Sequence, residues 1–394
     1  MAGSENPVLG QVVFGVAPMI DRQRAVAATR LTVFALRADA PPDAAALFAV
    51  LAQTWPEGSA QRVLLNLANE ALLRDALRLV PPAQVMLEVP AFLAADPELE
   101  WALRALHARG NVLALSGRAP QPLGATVLGC FRHLIVEPDP AQPAEAAPRG
   151  LSPVHAGVTA ISGVDAAFQR GATAVIGWPT AEPLTQGRSK AAAPDLKVIV
   201  ELMRRVDKME SIDRLEAVLK NDPTLAFRLV RYINSAAFGL RVEINSFRHA
   251  IMMLGYEKLK RWLALLLASA GSDPNLKPVL FGAVTRGLFM EELVRASGDE
   301  QRRGEIFICG VFSLLDCLLA QPLEQLMQSI PVPQHVADAL VHGSGPFRPY
   351  LELAQAVEQA SVYELREASE RLLLSTAQIN RALLHALGAA QQLD

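Results

Sequence analysis

The histidines are the residues of this chain that could most readily hold a catalytic metal. The seven histidines lie at positions 107, 133, 155, 249, 335, 342 and 385. None is followed by aspartate, so no adjacent His-Asp pair can ligate a metal ion, and no HExxH motif occurs. The three cysteines, Cys130, Cys309 and Cys317, show no CxxC spacing. We therefore expect neither a bound metal nor a cofactor.

A second group of polar residues interrupts an apolar stretch, RLVRYINSAAFGLRVEINSFRHAIMMLG, at 228–255. Asn234, Ser235 and His249 are either residues of a site or residues that cap and flank helices. His249 stands beside an apolar run, which is typical of a partly exposed helix residue. No GxSxG elbow is present, so a Ser-His-Asp triad has no motif behind it. HGSGPF at 342–347 lacks the Lys-Ser/Thr and the preceding strand of a phosphate loop.

The N-terminal half alternates apolar runs of strand length with helical patterns. The helical patterns lie at 43–54, 68–79, 97–108 and 163–170. Strands separated by helices pair in parallel, and continuously apolar strands are buried on both faces. About eight such runs predict a closed or partly closed β/α barrel in which some helices are missing or reduced. The runs are VVFGVAP, LTVFAL, RVLLNL, QVMLEV, NVLAL, RHLIV, VHAGV and ATAVIG.

The C-terminal half has helical periodicity throughout. Asp222 can cap a helix that begins at Pro223, Ser246 can cap the next, and Gly255 can end that helix in the left-handed conformation. The polar stretch EPLTQGRSKAAAPDLK separates the two halves. The predicted fold class is therefore α/β plus all-α. The predicted bounds are a barrel over 8–185, a linker over 186–195 and a helical domain over 196–394.

The C-terminal half closely resembles the HDOD domain, a bacterial relative of the HD phosphohydrolases that lacks their metal ligands. LKNDPTLAFRLVRYINSAAFG and INSFRHAIMMLGYEKLKRWLALLL carry the resemblance, and ICGVFSLLDCLL at 308–319 fits a later helix. It implies a helical signalling module without catalytic chemistry, in which Asn234 and Ser235 satisfy backbone groups where a helix ends. The matching residues are Asp222, Pro223, Leu225, Asn234, Ser235, Ala236, Phe238, Gly239, Ile244, Ser246, Ala250, Ile251, Leu254 and Gly255.

The N-terminal half resembles a degenerate EAL domain, the barrel that hydrolyses cyclic di-GMP and often precedes an HDOD domain. VAPMIDRQRAVAATRLTVF, VLLNLANEALL, VMLEVP and ISGVDAAFQRGATAVIGWPTAEP carry this resemblance. A working member holds two divalent cations and a water with acidic ligands, an asparagine and a lysine. Only Asn66 and Glu88 fall on polar ligand positions, and Arg30 stands at the signature glutamate. The other positions fall on Ser116-Gly117, near Ile135, and near Ala156 and Thr159.

The missing ligands decide what this resemblance implies. No lysine precedes Lys190, and two divalent cations need several carboxylates to offset their charge. We therefore expect no phosphodiesterase activity, with Asn66 and Glu88 as polar groups at strand ends facing the barrel mouth. A receptor that binds cyclic di-GMP without hydrolysis is the alternative, with Arg30, Arg118 or Arg132 pairing with phosphates. An active phosphodiesterase is a third, less favoured reading.

The bulk composition narrows the partners. A net charge of −3 does not indicate a nucleic-acid-binding protein. The most apolar stretch, from Trp262 to Gly271, is too short to cross a bilayer, and the first residues lack the pattern of a signal peptide. With the scattered cysteines, this predicts a cytoplasmic protein. Together with both resemblances it predicts a bacterial regulatory protein that binds unidentified signalling proteins and is compatible with a homo-oligomer.

Overall fold

The structure is a computed structural model that describes residues 6–37, 39–59, 61–118, 122–137, 148, 150–181, 194–219, 247–269 and 273–391. The chain divides into two compact units, each discontinuous in sequence. A barrel unit contains Met1–Ala181 and Gln355–Leu384, and a helical unit contains Glu182–Ala354 and His385–Asp394. The domain bounds expected from the sequence stay a prediction, because most of the linker 186–195 lies outside the described residues.

The barrel unit is built on a closed barrel of eight strands in sequence order, which confirms the predicted barrel. The strands are β1 (Val12–Asp21), β2 (Val26–Ala35), β3 (Arg62–Leu67), β4 (Val85–Pro90), β5 (Leu113–Ser116), β6 (His133–Val136), β7 (Ser152–His155) and β8 (Ala174–Ile176). From β2 to β8, each neighbouring pair is parallel. The expectation of parallel pairing is wrong for β1, which is antiparallel to β2 and β8. The residues between β1 and β2 are too few for a crossover, so a hairpin joins them.

Four helices of the barrel lie where the sequence pattern placed them, and two short ones, Ala91–Ala94 and Ala125–Leu128, were not predicted. The helices are α1 (Ala44–Thr54), α2 (Glu70–Leu77), α3 (Ala91–Ala94), α4 (Pro97–Ala108), α5 (Ala125–Leu128) and α6 (Ile161–Gln169). Asp43, Asn69 and Asp96 cap α1, α2 and α4 by accepting a hydrogen bond from a backbone N–H of the first turn. The helices α3 and α5 have four residues each, in line with the expected reduction of some crossovers.

Alternate residues of each strand fill the barrel interior, because successive side chains point to opposite faces of a sheet. The interior cluster contains Met19, Ala28, Leu64, Met86, Ala114, Ile135, Val154, Ala156, Ala174 and Ile176, with Ala17 packed against it. The opposite faces of β1 and β8 pack outward, where Ile20 and Val175 contact Val164 and Ala167 of α6. The strands are thus apolar on both faces, as the continuous runs predicted.

The described residues after position 193 form helices and turns, which confirms the all-α expectation for this part of the chain. The helices are α7 (Pro194–Asp207), α8 (Ile212–Leu219), α9 (Phe247–Ala268), α10 (Lys277–Leu293), α11 (Glu300–Phe312), α12 (Leu315–Leu319), α13 (Leu323–Ser329), α14 (Gln334–Leu340), α15 (Arg348–Glu358), α16 (Val362–Leu372) and α17 (Thr376–Ala390). Residues 355–384, which include all of α16, belong to the barrel unit.

Two glycines let α10 and α11 approach closely. A Cβ atom on Gly310 would lie 2.6 Å from the Cα atom of Gly287, and a Cβ on Gly287 would lie 2.9 Å from the carbonyl oxygen of Phe307. Real Cβ atoms essentially never come this close to backbone, so a side chain at either position would push the helices apart. Gly310 belongs to the ICGVFSLLDCLL stretch, and the close crossing of α10 and α11 explains why this position is a glycine.

Gly255 has the positive φ that its glycine identity suggested, but not the expected left-handed helical conformation. Its φ is 71° and its ψ is 173°, so the backbone is extended in ψ, and α9 is interrupted at this residue. Because only glycine adopts this region readily, the residue type is explained by the kink. The predicted helix end at Gly255 is therefore a break within a longer helical run.

Candidate functional site

The polar residues singled out in the barrel lie on neighbouring strands. Arg30, Asn66 and Glu88 occupy β2, β3 and β4, and Asn66 pairs in register with Glu88. Each follows an interior residue by two positions, so all three face the barrel interior. They stand toward the carboxyl ends of the parallel strands, the end at which β/α barrels place their sites. We call Arg30, Asn66 and Glu88 the mouth residues.

Arg30 donates two parallel hydrogen bonds to the carboxylate of Glu88. Nε of Arg30 donates to Oε2 of Glu88 at 2.8 Å, and Nη2 donates to Oε1 at 2.7 Å. The side chains are 20% and 4% exposed respectively, so the pair is largely removed from water. A bidentate guanidinium–carboxylate pair is among the strongest charge-assisted hydrogen-bond arrangements. Both carboxylate oxygens of Glu88 are therefore engaged by a cation that the protein itself supplies.

The other positions of the EAL resemblance contribute no carboxylate to this layer. Ser116 ends β5, and Gly117 follows it with a φ of 73°. Ile135 and Ala156 are buried in the interior apolar cluster, and Thr159 is exposed beyond β7. At Ile135 and Ala156, apolar packing thus occupies positions near which the resemblance expected charged ligands.

The structure does not bring the three arginines of the receptor reading together. Arg30 is held by Glu88, as described above. Arg118 is exposed and follows β5, at the carboxyl end of the strands. Arg132 is exposed and precedes β6, at the opposite end. At most Arg118 lies at the same end of the barrel as the mouth residues.

Two histidines with a buried ring nitrogen were not singled out from the sequence as site residues. Nδ1 of His133 and Nδ1 of His155 are buried without a hydrogen-bond partner. Burial lowers the pKa of both imidazoles, with Arg132 adding to the effect at His133 and Arg170 at His155. His133 shares the inner face of β6 with Ile135, whereas His155 lies on the face of β7 opposite Val154. They point to opposite sides of the barrel wall and do not form one site.

The part of the chain that the structure describes contains no candidate metal site. In those residues, no group of three or more histidine, cysteine, aspartate or glutamate side chains could hold a metal ion. Cys130, Cys309 and Cys317 are buried, and none of them forms a disulfide. The absence of a resident metal in the whole protein stays a prediction.

The helical unit contains a charged cluster that sequence reasoning missed. Glu291 of α10 accepts from Nη1 of Arg261 at 2.7 Å and from Nη2 of Arg303 at 3.0 Å. The guanidinium carbon of Arg261 also lies 3.9 Å from the ring centroid of Phe307. These residues come from α9, α10 and α11, far apart in sequence, and no local pattern announces them. Their arrangement ties three helices together.

Most residues that carry the HDOD resemblance lie outside the part of the chain that the structure describes. Asp222, Pro223, Asn234, Ser235, Phe238, Gly239 and Ser246 lie outside the described residues. Gly255 is described and lies at the kink of α9. His249 falls within α9. Their expected roles in capping and interaction stay predictions.

Residues 193–330 match the HDOD domain, so the helical part of the chain carries that module. The match ends at residue 330, and the expectation that the domain runs to residue 394 stays a prediction. Within the described residues, no helix combines the length and apolarity that crossing a membrane requires.

The chain is similar to curated proteins over part of its length. It is 27% identical over 209 residues to the cyclic di-GMP phosphodiesterase CdgJ of Vibrio cholerae serotype O1, covering 52% of this chain and 48% of that protein. It is 28% identical over 163 residues to the uncharacterized protein YuxH of Bacillus subtilis strain 168, covering 40% of this chain and 39% of that one. The chain therefore spans about half or less of the curated relatives it matches.

A solved structure of the PaMucR phosphodiesterase in complex with c-di-GMP is also similar. The likeness covers 44% of this chain and 91% of that one, with 13% sequence identity and a TM-score of 0.31. A score this low does not establish a common fold. The identity of the N-terminal barrel as an EAL relative stays a proposal.

Proposed function

We propose that this protein is a non-catalytic regulator in cyclic di-GMP signalling that acts by binding other proteins, with a degenerate EAL-like barrel preceding its HDOD domain. The observation that carries the proposal is the ion pair between Arg30 and Glu88.

The Arg30–Glu88 pair argues against a two-cation centre at the mouth. Two divalent cations bring four positive charges, which oxygen ligands with several negative charges must offset. Here the buried carboxylate of Glu88 is already offset by the guanidinium of Arg30, with both oxygens bonded. A cation approaching Glu88 would also meet the positive charge of Arg30. Asn66, its neighbour in register, supplies no charge.

The signalling context rests on the HDOD domain and on the relatives. The HDOD domain is the part with a direct match, and one relative is named a cyclic di-GMP phosphodiesterase. At 27% identity over about half of each chain, that name supports the pathway rather than the activity.

Exposed aromatic side chains on the barrel support a role in protein binding. Trp101 of α4 is 74% exposed and Phe92 of α3 is 56% exposed. Tryptophan and phenylalanine are enriched in protein interfaces, since they bury large areas at low entropic cost. The remaining tryptophans, Trp55, Trp178 and Trp262, are buried, so Trp101 stands apart in its exposure.

The test is a product assay for cyclic di-GMP hydrolysis with Mg²⁺ or Mn²⁺, together with calorimetry on the full chain. We expect no hydrolysis above background and no binding tighter than roughly millimolar, which is about −4 kcal/mol. Glu88→Ala is the matched control, because any genuine metal-dependent turnover at the mouth would require this carboxylate. Metal-dependent linear product that disappears in Glu88→Ala would overturn the proposal.

Cyclic di-GMP reception without hydrolysis is a second candidate function. It is supported by the exposed Arg118, which lies at the same end of the barrel as Asn66 and can pair with a phosphate. A micromolar dissociation constant without turnover, weakened by Arg118→Ala, would favour this candidate over the purely protein-binding one.

A further inference from the structure

The end of the helical region belongs structurally to the barrel. Residues Gln355–Leu384 group with Met1–Ala181 in one compact unit. They also lie beyond residue 330, where the match to the HDOD domain ends. This segment holds the end of α15, all of α16 and most of α17. The segment contributes no strand to the barrel and lies outside the HDOD match, so we infer its role from the contacts that it makes.

Asn380 anchors the segment to the beginning of β1. Its side-chain Nδ2 donates to the carbonyl oxygens of Leu9 at 2.8 Å and Val12 at 2.7 Å. Asn380 is 1% exposed, so both hydrogen bonds are shielded from water. The amide satisfies two backbone acceptors with its two N–H groups, a match that neither aspartate nor alanine could reproduce.

A second contact lies at the turn between α15 and α16, where Gly15 of β1 admits Ala360. A Cβ atom on Gly15 would lie 2.5 Å from the Cβ of Ala360 and 2.9 Å from its Cα. Gly15 does not have a positive φ, so its backbone would accept any residue, and the contact alone demands glycine. Ala360 itself has a φ of 53°, an unfavourable conformation for alanine. The turn is thus pressed directly onto the strand.

This contact lies on the inner side of the barrel wall, level with the mouth residues. Gly15 is on the same face of β1 as Ala17 and Met19, which pack into the interior. In register, Gly15 pairs with Thr32, Thr32 with Asn66, and Asn66 with Glu88. Ala360 therefore covers one end of the row of residues that leads to Glu88.

We propose that Gln355–Leu384 is an intramolecular strap that covers the β1 side of the barrel mouth and controls access to the layer of Arg30, Asn66 and Glu88. Asn380 holds the strap at the beginning of β1, and the Gly15–Ala360 contact seats its turn at the mouth. Thr32 and Asn66 remain partly exposed, so the strap narrows the mouth without sealing it. Release of the strap widens the mouth. A ligand or partner that binds the open state more tightly would release the strap.

The strap can be tested by measuring access to Thr32, the neighbour of Gly15 in register. A Thr32→Cys variant of the full chain provides a thiol at the mouth, while the native Cys130, Cys309 and Cys317 are buried. Gly15→Ala in this background places a methyl group against Ala360 and should displace the strap. We expect labelling of the new thiol by a maleimide to accelerate about tenfold or more, which corresponds to 1.4 kcal/mol in the opening equilibrium.

Matched variants separate strap release from general damage. Gly10→Ala is the control for Gly15→Ala, because its Cβ would be 3.9 Å from Ala377, an ordinary contact. It should leave the labelling rate unchanged. Ala360→Gly removes the closer atom of the clash and should partly restore slow labelling to the Gly15→Ala variant. Asn380→Ala should also accelerate labelling, although it changes neither Gly15, nor Ala360, nor any of the mouth residues.

A thiol at the far end of the barrel completes the design. Ser152→Cys, at the first residue of β7, should label at one rate in all backgrounds if the barrel stays folded. Faster labelling at Thr32→Cys alone supports the strap. Equal acceleration at both thiols in both Gly15→Ala and Asn380→Ala, or no acceleration at Thr32→Cys in either, overturns it.

Discussion

The ion pair between Arg30 and Glu88 gives the sharpest prediction for stability. Replacing Arg30 with methionine keeps a long side chain but removes the guanidinium, and it leaves the carboxylate of Glu88, 4% exposed, without its partner. Removing one partner of a buried pair typically costs about 3–5 kcal/mol. For a unit of this size each kcal/mol lowers the melting temperature by roughly 2–4 °C, so we expect a fall of about 6–20 °C.

The assay must report on the barrel unit alone. Trp262 is the single tryptophan of the helical unit, whereas Trp55, Trp101 and Trp178 lie in the barrel unit. In a Trp262→Phe background, thermal unfolding followed by tryptophan fluorescence therefore tracks the barrel. Arg37→Met is the matched control, because Arg37 pairs with Asp39 on the surface with both side chains more than 70% exposed. Its melting temperature should not move measurably.

A double variant distinguishes a lost pair from a lost side chain. Arg30→Met combined with Glu88→Leu removes both charges together, and well-packed apolar replacements of buried pairs are often neutral or stabilising. The double variant should therefore be more stable than Arg30→Met alone. If the effects of Arg30→Met and Glu88→Leu simply add, the two groups are not coupled, and the reasoning about the mouth fails with them.

Three further predictions follow from the sequence and the helical unit. Because no His-Asp pair exists, elemental analysis after gentle purification should find no stoichiometric iron, manganese or zinc; a stoichiometric metal would refute the expectation. Asn234→Ala should cost roughly 1–3 kcal/mol in unfolding of the helical unit if Asn234 satisfies a buried backbone group, whereas unchanged melting with lost partner binding would make it an interaction residue. Burial raises the pKa of Cys309 and of Cys317 to about 12 each, so the reactive thiolate is scarce at every pH below that value. In native protein at pH 8, both thiols should therefore resist a thiol reagent until the protein is unfolded. Rapid labelling of native protein would contradict their burial.

The sequence was a good guide to the elements of the barrel because most strands are built on apolar runs of strand length. Buried runs such as RVLLNL and QVMLEV reveal their length and their two-sided burial directly. The direction of β1 was predicted wrongly, since parallel pairing was inferred from the general alternation of strands and helices. The short connection before Val26, with Asp21 accepting hydrogen bonds from the N–H groups of Gln23 and Ala25, is the local feature that fixes a hairpin.

The sequence predicted which residues lie at the candidate site, but it did not predict that Arg30 and Glu88 form an ion pair. The resemblance identified Arg30 and Glu88 separately, as a substituted and a retained position. Their pairing depends on two strands with β3 between them in the barrel and on the same inward face, which requires the register and the closed topology. The cluster of Glu291 with Arg261 and Arg303 was missed for the same reason, because it forms only when three helices meet.

The contact between Gly15 and Ala360 was also beyond sequence reasoning. A glycine inside a strand can signal a close approach of another backbone, but it does not say which segment approaches. The partner lies in a turn between two helices hundreds of positions later, and that turn shows only that a helix ends there.

The discontinuous barrel unit has a consequence for how the protein is made. Residues Met1–Ala181 leave the ribosome first, but Gln355–Leu384 follow only after all of Glu182–Ala354 has been synthesised. At about 5–20 residues per second, the delay is on the order of ten to thirty seconds. During that time the beginning of β1 waits without Asn380, with its backbone acceptors open to chaperones or to a neighbouring nascent chain. The helical unit also depends on a late segment, His385–Asp394, so each unit is completed only by residues that are synthesised after most of the other unit.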